Sequence, residues 1–178
     1  SANPNKPLHM GTARCAILGD IIARLFKFCN YNVEVQNYID DLGRQSALTV
    51  LGKIKKENEV PFKKEYKGEY YAGLLYIKGC EIADQFPEEV NKIIKEIEKG
   101  VGESSLIKER LISQSVMGQL QTAWRLNIFY DLLVWERDVV KSGLFSEALK
   151  KITSTGFAKK LESGPDSGCI VVDMKQFE

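Results

Sequence analysis

The sequence is poor in the residues that build metal and disulfide frameworks. Its four cysteines (Cys15, Cys29, Cys80, Cys169) lie far apart with no Cys-x-x-Cys pair, and His9 is its one histidine. That excludes a cysteine-rich zinc site and offers no disulfide framework, so no metal-binding residue is assigned and a reducing, cytoplasmic setting fits best. No apolar run approaches the roughly 20 residues that cross a bilayer, and no signal peptide opens the chain. Membrane and secretory roles are therefore not expected. An excess of one charge is also missing: 25 Lys and Arg against 24 Asp and Glu leave a net charge of +1. The balance does not advertise nucleic-acid binding. Local clusters (Lys53, Lys55, Lys56 and Lys63, Lys64) are interleaved with acids, which favours solvated helix faces over a phosphate-binding patch. There is no internal repeat and no initiating Met; Ser1 opens inside a loop, which leads us to expect a piece cut from a longer protein.

What is present is ordinary globular material. The 178 residues are 44% apolar and 28% charged, enough for one or two compact units. Asn3-Pro4 and Lys6-Pro7 make residues 1–10 a loop, because the residue before a proline is pushed to extended geometry. A helix is predicted from Gly11 to about Asn30. Ile17, Ile21, Leu25 and Cys29 form one row, widened by Leu18, Ile22 and Phe26, and so broad a face suits packing on a sheet. Val33 to Ile39 reads as a buried strand that Asp40 and Asp41 end, with Asp41 capping a helix from Leu42 to Glu57.

Loop, helix, strand and helix make half of a Rossmann-type unit whose first strand would lie upstream of Ser1. Residues 58–68 read as a charged connector, followed by helices over 70–85, 87–99 and 104–126. Ile107, Leu111, Met117, Leu120, Trp124 and Ile128 mark the apolar face of the last helix and its exit, with Met117 and Trp124 expected in the core. A strand over Asp131–Trp135, small helices near 137–142 and 144–153, and a hairpin over 156–173 turning at 163–168 complete the reading. The fold class expected is α/β: a partial Rossmann-type nucleotide-binding half over 1–45, then a mostly helical α+β insertion and connecting region over 46–178.

The stretch that carries chemistry lies just ahead of the first helix. His9 precedes a helix N-terminus, where unpaired N–H groups and the helix dipole favour an anion, and a neutral imidazole can donate to a phosphate oxygen there. Gly11 lacks a Cβ, so a flat ring such as a purine can approach its backbone. Thr12 brings a hydroxyl donor and could equally cap the helix. Asn3, held by Pro4, presents an amide donor and acceptor. By themselves His9, Gly11 and Thr12 also fit a helix-capping turn with a surface histidine.

Longer blocks carry a resemblance. Ser1-Ala2-Asn3-Pro4 followed after four residues by His9-Met10-Gly11-Thr12 resembles the HIGH region of class I aminoacyl-tRNA synthetases, arginyl type. Arg14 through Ile17-Leu18-Gly19-Asp20 is similar to that family's following helix, and Tyr38-Ile39-Asp40-Asp41-Leu42-Gly43-Arg44-Gln45 to its Tyr-(Ile/Val)-Asn-Asp-x-Gly-Arg-Gln. A weaker likeness continues through Phe129 to Glu136 and Ser142-Gly143-Leu144. The resemblance implies adenylation of L-arginine by ATP with Mg²⁺, then transfer to tRNA(Arg).

It implies that His9 contacts ATP phosphates and stabilises the transition state, with Thr12 beside it as the second catalytic position. Gly11 would lie against adenine, Ala2 would join the ATP site, and Ser1, Asn3, Asp41 and Gln45 would hold arginine. Thr12 stands where many members have a second histidine, and Asp40 where asparagine is common. Neither a Lys-Met-Ser-Lys-Ser-like loop nor the Tyr-x-x-(Arg/x)-Asp stretch that in the family would supply acidic recognition of guanidinium occurs in the sequence, so the chain alone, expected to be a monomer, is expected to be inactive. Two other readings stay open: a nucleotidyltransferase of the His-x-Gly-His type, and a non-catalytic helical interaction module.

Overall fold

The computed structural model describes residues 3–61, 63–164 and 167–172. Ser1 and Ala2, expected in the arginine and ATP sites, lie outside the described residues, as does the end of the expected hairpin at residue 173. The chain divides into two compact units, one running to Arg137 and one from Asp138.

The first unit opens with α1 (Met10–Phe28), then β1 (Gln36–Ile39) and α2 (Gly43–Lys56), close to the bounds predicted. α3 (Gly68–Ile82), α4 (Pro87–Lys99) and α5 (Gly102–Arg125) follow, and the chain returns as β2 (Leu132–Trp135). β1 and β2 pair in parallel, Gln36 opposite Leu132 and Ile39 opposite Trp135. A parallel pair needs a long crossover, and α2 to α5 supply it. The strand is shorter than the expected Val33–Ile39. At Val35 the backbone N–H donates to the Asp131 carboxylate (2.8 Å), a side chain standing in for a ladder partner. Only Ile39 of β1 is buried, and it packs with Ile112 and Val116 of α5.

The insertion helices hold most of the core. Leu48 and Leu51 of α2 meet Ile82 at the end of α3 and Val90, Ile93 and Ile97 of α4, whose helical spacing puts one stripe inward. α4 starts on Pro87 and stops at Gly100, whose φ of +67° is left-handed backbone that glycine adopts without strain. α2 and α3 approach closely through two glycines. A Cβ on Gly52 would strike the Leu75 carbonyl, and one on Gly79 the Leu48 carbonyl. Backbone cannot swing aside as a side chain can. Gly79→Ala is therefore expected to destabilise the chain by about 2–3 kcal/mol, read by urea unfolding; a loss within error would show that the helices are not this close.

Two expectations are corrected here. Met117 (49% exposed) and Trp124 (43%) face outward, because α5 turns Leu111, Ile112, Val116 and Ala123 inward along with four polar residues, Ser104, Lys108, Ser115 and Gln119. Apolar spacing alone misjudged the phase of that helix, since its buried stripe is partly polar. The broad face of α1 is the second: only Ala23 is buried, while Leu18 and Leu25 are 54% and 59% exposed. A two-stranded sheet offers that face too little surface among the described residues. The lysine clusters do behave as solvated faces, Lys53 pairing with Glu57, Lys56 with Glu59 and Lys55 with Glu89.

α6 (Glu136–Lys141) runs across the division between the units. The second unit contains α7 (Leu144–Ser154) and the hairpin β3 (Ala158–Lys160) with β4 (Ile170–Val172), paired antiparallel as predicted. No described helix is long and apolar enough to cross a membrane.

Candidate active site

The loop ahead of α1 is fixed by two glutamines from different helices. Asn3 Nδ2 donates to Gln45 Oε1 on α2 (2.8 Å), and Asn5 Nδ2 reaches the same oxygen at 3.4 Å. From α5, Gln119 Nε2 donates to the carbonyls of Asn3 (3.0 Å) and Lys6 (2.8 Å), spending both amide hydrogens on the loop. Pro4 and Asn5 are buried, and a Cβ on Gly73 would sit 3.3 Å from Pro7, so the loop also rests on α3. Its conformation is over-determined, as precise placement of a reacting group requires.

His9 itself caps α1. The Thr12 backbone N–H donates to Nδ1 (3.4 Å), which assigns the proton to Nε2, 3.2 Å from the Thr12 hydroxyl. Thr12 therefore steadies the ring and does not cap the helix. Gly11 makes room for the same ring: a Cβ there would lie 3.1 Å from His9 Cε1. The imidazole is exposed at the helix N-terminus, where orphan N–H groups favour an anion.

His9 and Thr12 open on a cleft of about 310 Å³ that Asn3, Lys6, Tyr38 and Asp40 also line. The strand register explains its acidic side. Ile39 pairs with Trp135, so the next residues, Asp40 and Glu136, stand side by side at the carboxyl ends of parallel strands, the usual place for a ligand in such sheets. Burial first, then the hydrogen bond and charge of Asp40, push the Glu136 carboxyl above its ordinary range; the Leu42 N–H (3.3 Å) and the Tyr38 side chain partly oppose this. The Tyr38 hydroxyl is raised in turn, by burial and then by Glu136, Asp40 and Asp41.

Asp41 lies elsewhere. It is fully buried, its Oδ2 paired with Lys108 (2.8 Å) and Arg137 (3.2 Å) and its Oδ1 accepting the Arg137 backbone N–H (3.1 Å). The N-cap of α2 falls on Leu42 with no side-chain bond, so the capping role expected of Asp41 is replaced by this buried cluster. Of the residues read from sequence, Asn3, His9 and Thr12 gather at one cleft with Gln45 behind Asn3, and Asp41 backs the strand ends. Glu136, Gln119 and Lys108 went unassigned. An acid directly following each predicted apolar strand was the available signal for Asp40 and Glu136; nothing local marks Gln119 or Lys108. No cluster of three His, Cys, Asp or Glu suited to a metal occurs among the described residues.

A family model described as tRNA synthetases class I (R), catalytic domain, matches residues 1–178. The arginine–tRNA ligase of Thermococcus sibiricus is 40% identical over 187 residues, taking in 98% of this chain and 29% of that protein. The arginine–tRNA ligase of Pyrococcus furiosus is likewise 40% identical, over 99% of this chain and 29% of its own length. Among solved structures, Thermus thermophilus arginyl-tRNA synthetase superposes with a TM-score of 0.78 at 31% identity, covering 99% of this chain and 29% of that one. The chain thus spans less than a third of the length of these three relatives.

Proposed function

This chain belongs to the class I (R) tRNA synthetase catalytic-domain family, and on that footing we propose that the protein carrying it is an arginine–tRNA ligase. In this reading β1 and β2 are neighbouring strands of a Rossmann-type sheet and residues 46–178 are the insertion and connecting region. The reaction has two steps. An oxygen of the arginine α-carboxylate attacks the α-phosphorus of ATP, the α–β bridge bond breaks, and pyrophosphate leaves. A hydroxyl at the 3′ end of tRNA(Arg) then takes the arginyl group and AMP departs.

The carrying observation is that the signature loop and Asp40 line one cleft, with the Glu136 carboxyl bonded to Asp40 and Tyr38 beside it. Its volume of about 310 Å³ lies within the usual range for small-molecule sites, roughly 300–1,000 Å³. When ATP binds, the Nε2–H of His9 exchanges the Thr12 hydroxyl for ATP phosphate oxygens, while the Thr12 backbone N–H keeps its bond to Nδ1. The same Nε2–H donates more strongly to the charge that builds on those oxygens in the transition state. Thr12 holds the ring for that contact, Gly11 keeps space beside it, and Ala2 joins the ATP side. Asn3 spends its amide N–H on Gln45, which leaves Oδ1 free to accept from the arginine α-ammonium. Ser1 and Gln45 border the same end of arginine. Asp41 acts from behind the pocket, since its oxygens are committed to Lys108 and Arg137. A guanidinium is planar and carries five N–H donors and no acceptor, so the acid pair beside Tyr38 suits it as one set of acceptors, alongside the acid that the family's Tyr-x-x-(Arg/x)-Asp stretch would supply in the full-length protein. Mg²⁺ arrives on ATP, with phosphate and water among its ligands. Exposed, unpaired cysteines at 15, 29, 80 and 169 suit a reducing cytoplasm.

The purified chain, a monomer in this reading, is expected to bind ATP weakly, to show no preference for CTP, and to charge no tRNA. Calorimetric titration and an arginylation assay check this. A preference for CTP would support a cytidylyltransferase, and measurable charging would overturn the claim that the chain alone is inactive.

A further inference from the structure

The buried cluster behind the cleft takes no part in the steps above. Lys108 is 3% exposed and Asp41 fully buried, with their charged ends 2.8 Å apart. Lysine is rarely buried so deeply unless paired, and such a pair adds little net stability over apolar residues of the same size. Its geometry suggests another use. Asp41 directly follows Asp40, and Arg137 directly follows Glu136. By accepting both the backbone N–H and the guanidinium of Arg137, Asp41 ties together the chain segments that carry the two acids. Those acids repel when both are ionised, so the strand ends need a tie behind them. Arg137 is a divided partner: it stacks on Trp135 at 4.2 Å and lies 3.9 Å from Glu109. Lys108 is committed to Asp41 and comes from α5, the helix on which Gln119, about three turns further along, holds the signature loop. One insertion helix thereby references both walls of the cleft.

We propose that Lys108 is a positioning residue for arginine recognition, fixing Asp41 so that Asp40 lines the cleft with Glu136 held against it as an acid pair. The inference rests on the reading of that pair as the acceptor of the guanidinium. It is tested in the full-length enzyme by ATP–pyrophosphate exchange, with KM for arginine and for ATP measured separately and thermal unfolding alongside. Lys108→Met raises KM for arginine about tenfold or more while KM for ATP moves less than about twofold, because a small displacement of the acids acts on one substrate alone.

Lys108→Met together with Asp41→Asn removes the unpaired buried charge. This double variant recovers thermal stability and keeps the raised KM for arginine; if the single variant fails to fold, the double variant alone decides. A wild-type KM for arginine in the double variant, or equal changes for arginine and ATP, would overturn the proposal. Asp40→Asn and Glu136→Gln separate the two ideas. If neither raises KM for arginine, the recognition reading itself fails. If they do and the Lys108 variants do not, only the positioning role is lost.

Discussion

Glu136→Gln lowers kcat/KM for arginine by about 2–3 kcal/mol, roughly 30- to 150-fold, with KM for ATP little changed. The reason is that a desolvated cation loses a charged acceptor and keeps a neutral one of the same shape. Asp40→Asn acts in the same direction, and its effect on pH dependence is more telling. Glu136 is held above its ordinary range by burial and by Asp40, while Tyr38 from β1 and the N–H of Leu42, the N-cap of α2, face it as donors. Lys108 from α5 and Arg137 from α6 stand behind, paired with Asp41.

A carboxyl that holds its proton too tightly is neutral over part of the acid range, and a neutral acid attracts guanidinium weakly. Affinity for arginine therefore rises with pH through the elevated pKa and levels off above it. Removing the Asp40 carboxylate takes away a hydrogen bond and a like charge that hold the Glu136 proton, so the inflection moves to lower pH. The pH profile of kcat/KM for arginine measures this. An unshifted inflection in Asp40→Asn would show that the two acids are not coupled as described.

His9→Ala is expected to lower kcat by about 10²–10³-fold, the usual loss when one preorganised donor to developing charge is removed. The same change deletes the cap of α1, which by itself costs about 1 kcal/mol of helix stability. His9→Asn separates the two effects, since an asparagine can cap the helix but cannot place a ring N–H at the same distance. The expected outcome is near-normal thermal stability in His9→Asn with kcat still low. If asparagine restored turnover along with stability, the histidine would be a cap and no more. Measurements belong in the full-length enzyme, with pyrophosphate exchange reporting the first step alone.

Much of this molecule was legible before any coordinate. Turn chemistry marked the loop at Asn3–Pro4 and Lys6–Pro7, and the bounds of α2, α4 and β2 came within a few residues. These features depend on neighbours in sequence: prolines that bar helix, and apolar residues at a fixed period. The ends of β1 and the inward face of α5 were less accessible. Val35 finds the Asp131 carboxylate 96 residues away, and α5 buries Lys108, Ser115 and Gln119 alongside its apolar stripe. Periodicity assumes that buried means apolar, and that assumption fails where a helix serves a site.

By itself the sequence determined the local character of the signature loop: a histidine at a helix start, a glycine and a hydroxyl beside it, and an asparagine braced by proline. Those properties are local because helix capping and backbone freedom act over only a few residues. Tertiary structure alone decided what each acid does. Asp40 and Asp41 are adjacent in the chain, yet successive side chains at a strand end point to opposite sides. One faces the cleft beside Glu136, and the other is sealed against Lys108 and Arg137. The partners that make the difference lie 67 and 96 residues away and meet only when α5 packs on the parallel strands.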